Sequence, residues 1–75
     1  METNHYVTVI DFVEQGNSIY VQVEVFDANK EQYFRQEVRF LGDLLYGELV
    51  HPVKSPLSEP CRLVTIDYLK KHFGR

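Results

Sequence analysis

Two neighbouring turns in this chain agree on one strand register, and that agreement restricts the fold more than anything else in the sequence. Gly16-Asn17 separates two β-rich runs, Tyr6–Gln15 and Ser18–Ala28. Glycine at the first central position suits a two-residue type II′ hairpin turn. Pairing Gln15 with Ser18 then sets Phe12 opposite Val21 and Ile10 opposite Val23. The next turn, Ala28-Asn29-Lys30-Glu31, pairs Asp27 with Gln32 and sets Val25 opposite Phe34, Val21 opposite Val38 and Ile19 opposite Phe40. Both turns send Ile19, Val21, Val23 and Val25 to one face. The strand period is two, so a one-residue slip in either hairpin destroys the agreement. The sequence therefore predicts a three-stranded antiparallel meander.

The same register predicts the faces. Tyr6, Ile10 and Phe12 are expected to join the inner row, with Val7, Val9, Val13, Tyr20 and Phe26 on the other side. Glu24 is expected opposite Arg35 as an ion pair, and Tyr20 opposite Arg39 as a cation–π contact. The first strand is thus apolar on both faces.

Beyond Gly42-Asp43 the signals weaken. Leu44–Val50 allows a helical turn, which Gly47 disfavours, or a short strand over Gly47–Val50 ending before Pro52; we favour the strand. Pro52, Pro56 and Pro60 mark a connecting loop. Cys61–Val64 reads as a last short strand. Thr65 then caps a final helix whose Ile66, Leu69, Lys70 and Phe73 follow at helical spacing, with Gly74 as its stop. The expected fold class is mainly β: one domain over residues 1–75, in which one or two short strands extend the meander into a small SH3-like partly open barrel with a short C-terminal helix. A flat meander packed on that helix is the alternative. The two-sided apolar first strand favours the barrel, as a strand shared between two sheets.

With 75 residues the core is small, and domains of this size usually lean on a crosslink, a metal or a partner. Cys61 is the single cysteine, so no intrachain disulfide forms. His5, His51, His72 and Cys61 match no zinc-ligand spacing, and no metal or other cofactor is expected. That leaves a partner chain, a second copy included. No apolar run is long enough to span a membrane, the first four residues resemble no secretory signal, and the unpaired cysteine fits a cytoplasmic location.

Charge is unevenly spread. The net charge is −3, yet residues 1–29 hold five acidic residues and no Lys or Arg. Nucleic-acid binding would rest on Arg35, Arg39, Lys70, Lys71 and Arg75, against a pI near 5.5. Chemistry is harder still to assemble. Cys61 has no base beside it in sequence, His51 being the nearest histidine, and Asp11 sits in a strand among solvated neighbours. The glycines are isolated turn residues and form no phosphate loop. The expectation is a non-enzymatic accessory or regulatory domain. It binds a protein, or itself, through a sheet face carrying Val7, Val9, Val13, Tyr20 and Phe26. A nucleic-acid-binding small barrel is the alternative, and a small ligand binder or enzyme the weaker one.

Overall fold

The computed structural model describes residues 4–75. Strands β1 (Tyr6–Gln15), β2 (Ser18–Asp27), β3 (Gln32–Leu41) and β4 (Leu44–Tyr46) form one antiparallel sheet in the order β1-β2-β3-β4. A single 3₁₀ turn at Glu48–Val50 and a loop lead to the helix α1 (Glu59–Phe73). The mainly β meander with a short fourth strand and a terminal helix is as the sequence predicts.

Both turns hold the predicted register. Gly16 takes φ +59, and Gln15 pairs with Ser18. Asp27 pairs with Gln32, and every β2–β3 partner follows from it. In the first hairpin Phe12 faces Val21 as expected, but the register shifts between Val9 and Asp11. Ile10 is an extra residue in a β-bulge, so Val9, not Ile10, faces Val23, and Val7 faces Val25. A bulge inserts one unpaired residue and reverses the facing of everything beyond it. Val7 and Val9 therefore join the inner face, and Tyr6 moves to the outer one. This corrects the expected placement of all three. It also explains why β1 reads as apolar on both sides without belonging to two sheets.

The sheet accordingly stays open. β1 and β4 are both edges, and no barrel closes. The flat meander on its helix is the architecture adopted. The core is the inner row Ile19, Val21, Val23 and Val25 with Val38 and Phe40, covered by Leu49, Val50, Leu57, Cys61 and Leu69. Phe73 closes one end edge-on against both Phe12 and Phe40, with ring centroids 5.2 and 5.6 Å away.

α1 begins seven residues earlier than the sequence suggests. Ser58 is its N-cap and Pro60 lies in its first turn, where proline is tolerated because its missing N–H has no helical partner. Cys61–Val64 is thus helix, and Thr65 lies mid-helix, buried, donating its hydroxyl to the Cys61 carbonyl at 2.8 Å. Gly74, at φ +67, ends the helix as predicted. β4 ends at Tyr46, and Gly47–Val50 is a glycine corner and a 3₁₀ turn where a strand is expected.

Candidate functional site

Two places concentrate functional groups: a buried polar cluster at the start of α1 and the outer face of the sheet. Asp27, the last residue of β2, is fully buried. Its Oδ1 accepts from the Asn29 backbone N–H at 3.0 Å and the Ser58 hydroxyl at 2.9 Å, and its Oδ2 accepts from the Ser58 N–H at 2.6 Å. Burial pushes its pKa up, but the Ser58, Asn29 and Lys30 donors outweigh this and hold it below the usual carboxylate value. The carboxylate both closes the β2–β3 turn and anchors the N-terminus of α1, where negative charge suits the helix dipole.

His5 and Cys61 stand beside it. The ligand atoms of His5, Asp27 and Cys61 all lie within 4.8 Å of one another, the spacing of a possible metal site. His5 Nδ1 and both Asp27 oxygens already accept hydrogen bonds. His5 Nδ1 accepts the Ala28 N–H at 3.0 Å, and its 3.7 Å approach to Asp27 is no hydrogen bond. Burial, together with the Asp27 charge, pushes the Cys61 thiol up to about 11 despite the Thr65 hydroxyl, the reverse of what a nucleophile or a thiolate ligand requires. The cluster is built as a structural latch. His51, the histidine nearest Cys61 in sequence, instead accepts the Val53 and Lys54 N–H groups, each at 3.0 Å. Asp11 is exposed and accepts the N–H of Phe12 at 2.8 Å.

The outer face is organised in rows across the strands. Tyr6, Phe26 and Tyr33 form an aromatic row at one end, with Phe26 and Tyr33 ring centroids 4.8 Å apart. A polar middle follows: Thr8-Glu24-Arg35, with the Glu24–Arg35 ion pair at 3.0 Å, and Asp11-Gln22-Glu37, with Gln22 donating to Glu37 at 2.9 Å. At the other end lie Val13-Tyr20-Arg39-Tyr46 and Gln15-Ser18-Leu41-Leu44. Arg39 stacks over Tyr46, 5.7 Å from its centroid, in place of the expected Tyr20. Tyr33 is 66% exposed and Leu44 56%; Val13, Leu41 and Tyr46 are exposed as well.

Of the five predicted interaction residues, Val13, Tyr20 and Phe26 lie on this face, whereas Val7 and Val9 lie half-buried on the inner one. The β2–β3 register already implied Tyr33 and Leu41 as outer residues. Leu44 and Tyr46 required the β4 pairing across the two-residue Gly42-Asp43 turn, which the sequence reading takes as the end of the meander. The basic candidates divide: Arg35 and Arg39 are on the outer face, while Lys70, Lys71 and Arg75 belong to the C-terminal end of α1 on the opposite side. Lys71 pairs with Asp67 at 3.1 Å, and Arg75 donates to the Gly42 carbonyl. No pocket is present among the described residues, and none of their helices is long and apolar enough to cross a membrane. No family model, no curated protein and no solved structure matches the chain.

Proposed function

We propose that this is a non-enzymatic protein-interaction domain that docks through the outer face of its sheet, its partner being a second copy. One observation carries the reading. Every covering element packs on the inner face, while the outer face keeps large apolar side chains at both ends, the kind of surface that marks an interaction site.

Size and pattern support a second copy. Three ten-residue strands present a face about 33 by 14 Å, or roughly 450 Å² in plan. Two such faces bury close to the ~1,000 Å² of a specific interface only if nearly all of each is covered. A second copy does so by symmetry. A two-fold axis in the plane between the sheets, along or across the strands, sets apolar band on apolar band and polar middle on polar middle. The two sheets then pack as a sandwich.

Light scattering and thermal melts over a wide concentration range test this. A dimer whose melting temperature rises with concentration is the expected result. Val13→Lys or Leu44→Lys, both at exposed positions, should give folded monomers. A compact wild-type monomer with concentration-independent melting overturns the proposal.

A further inference from the structure

The polar middle of the outer face is a set of complements. Glu24 on β2 stands beside Arg35 on β3, and the next row sets Gln22 on β2 beside Glu37 on β3. Both pairs straddle the line between the two central strands of the four. A two-fold axis between aligned sheets runs along the strands or across them, and the charges separate these arrangements. An axis along β2 itself sets Glu24 over the partner's Glu24 and Glu37 over the partner's Asp11; one along β3 sets Arg35 over the partner's Arg35. An axis across the strands at the Gln22 row sets Glu37 over the partner's Glu37 and Arg35 over the partner's Arg39. Like charges brought together in an interface cost affinity. Moving that crosswise axis halfway to the Glu24 row avoids them, but it leaves Leu41 and Leu44 uncovered and encloses Asp11.

We propose that two copies are related by an axis along the strands, midway between β2 and β3, an arrangement that rests on the outer face being their meeting surface. Glu24 then faces the partner's Arg35, and Arg35 the partner's Glu24. The ion pair held within one chain at 3.0 Å becomes a ring of four alternating charges around the axis. Gln22 gives one amide N–H to its own Glu37 at 2.9 Å and has a second for the partner's Glu37. Phe26 faces the partner's Tyr33. Thr8 and Asp11 fall outside the overlap, because β4 covers only the Val13 and Gln15 end of the partner's β1. The carboxylate without a complement therefore stays in water. Aligned sheets cross at about 30°, so facing is closest near the centre, where the charged rows lie. The apolar ends supply the burial, and the polar middle decides which dimer forms, the role for which buried polar groups are best attested.

Spin labels at the two ends of the strands read the axis directly. Lys30→Cys places one in the β2–β3 turn and Asp43→Cys one in the β3–β4 turn at the opposite end; both positions are exposed, and buried Cys61 takes no label. With the proposed axis each label should lie within about 25 Å of its copy. With an axis across the strands each pair is more than ~33 Å apart, the length of a ten-residue strand. Arg35→Glu tests the charges independently. It should weaken dimerisation at least ~10-fold, and adding Glu24→Arg to the same chain should restore it. With the axis across the strands at the Gln22 row, Arg35→Glu would instead tighten the dimer through the partner's Arg39. A wild-type monomer overturns the reading of the face and the axis together. A dimer with long label distances, or one that Arg35→Glu leaves unchanged or tightens, keeps the face and overturns the axis.

Discussion

Asp27 shows how much one side chain decides here. Its carboxylate joins the β2–β3 turn to the helix start through both oxygens. Asp27→Ala would strand the Ser58 N–H and hydroxyl and the Asn29 N–H, and buried donors without partners cost ~1–3 kcal/mol each. A loss of about 3 kcal/mol by denaturant melts is expected. The pH dependence has a definite sign. The folded pKa lies below the unfolded one, so the stabilisation is full above about pH 4 and is lost as pH falls through the folded value. Acid titrations of stability should show that loss in the wild type, and Asp27→Asn should remove this component. Cys61 gives an independent check. A fully buried thiol with its pKa near 11 should react with a thiol reagent at neutral pH only as fast as the fold opens. Modification much faster than amide exchange from the core would contradict the buried placement. Neither residue's role was legible in sequence, because His5, Asp27, Ser58 and Cys61 meet only when α1 docks.

Among the elements, what was legible followed from period and turns. The β2–β3 hairpin could be read completely because two-residue alternation runs through it without interruption. β1 was half legible. Its bulge at Ile10 carries no glycine or proline, so nothing local marks the reversal that moves Val7 and Val9 inward and Tyr6 outward. The start of α1 was misread because Pro60 was weighed as a loop residue, although proline is equally at home in a first helical turn. Gly47 has a sharper explanation. It sits at φ +147, ψ 155, a region essentially reserved for glycine. An added Cβ would lie 3.0 Å from Val38 Cγ1 and 3.3 Å from the Val38 Cα. Gly47→Ala should therefore cost about 1–3 kcal/mol, measurable as a lower denaturation midpoint, whereas alanine at a merely flexible glycine would cost little.

The molecule as a whole is two layers, a sheet and the cover on its inner face. Its inner face is sealed by α1, the 3₁₀ turn and Leu57; its outer face meets solvent directly. The charge division visible in sequence persists in space: the edge strand β1 carries Asp11 and Glu14 and no Lys or Arg, whereas Arg35 and Arg39 lie on β3 and Lys70, Lys71 and Arg75 at the far end of α1. The expectation of a barrel failed for the reason that makes the surface interesting. The two-sided apolar pattern of β1 comes from the Ile10 bulge, which turns Val7 and Val9 inward and leaves Tyr6 and Val13 on the open outer face. The candidate interaction residues were legible where they depended on β2 and lost where they depended on β1's bulge or on β4.

The Asp27–Ser58 linkage spans 31 positions of the chain, whereas the strands beside it are joined by tight local turns. Order of events follows from that difference. Local hairpins close before distant contacts reward their loop-closure cost, so the meander forms the folding nucleus and the latch engages on the downhill side of the barrier. Asp27→Ala should then leave the refolding rate nearly unchanged and accelerate unfolding by most of its free-energy cost, a φ-value near zero, while a trimmed Val23 side chain should slow refolding. Stopped-flow chevrons of the two variants would separate the strands that decide how fast this protein folds from the carboxylate that decides how long it stays folded.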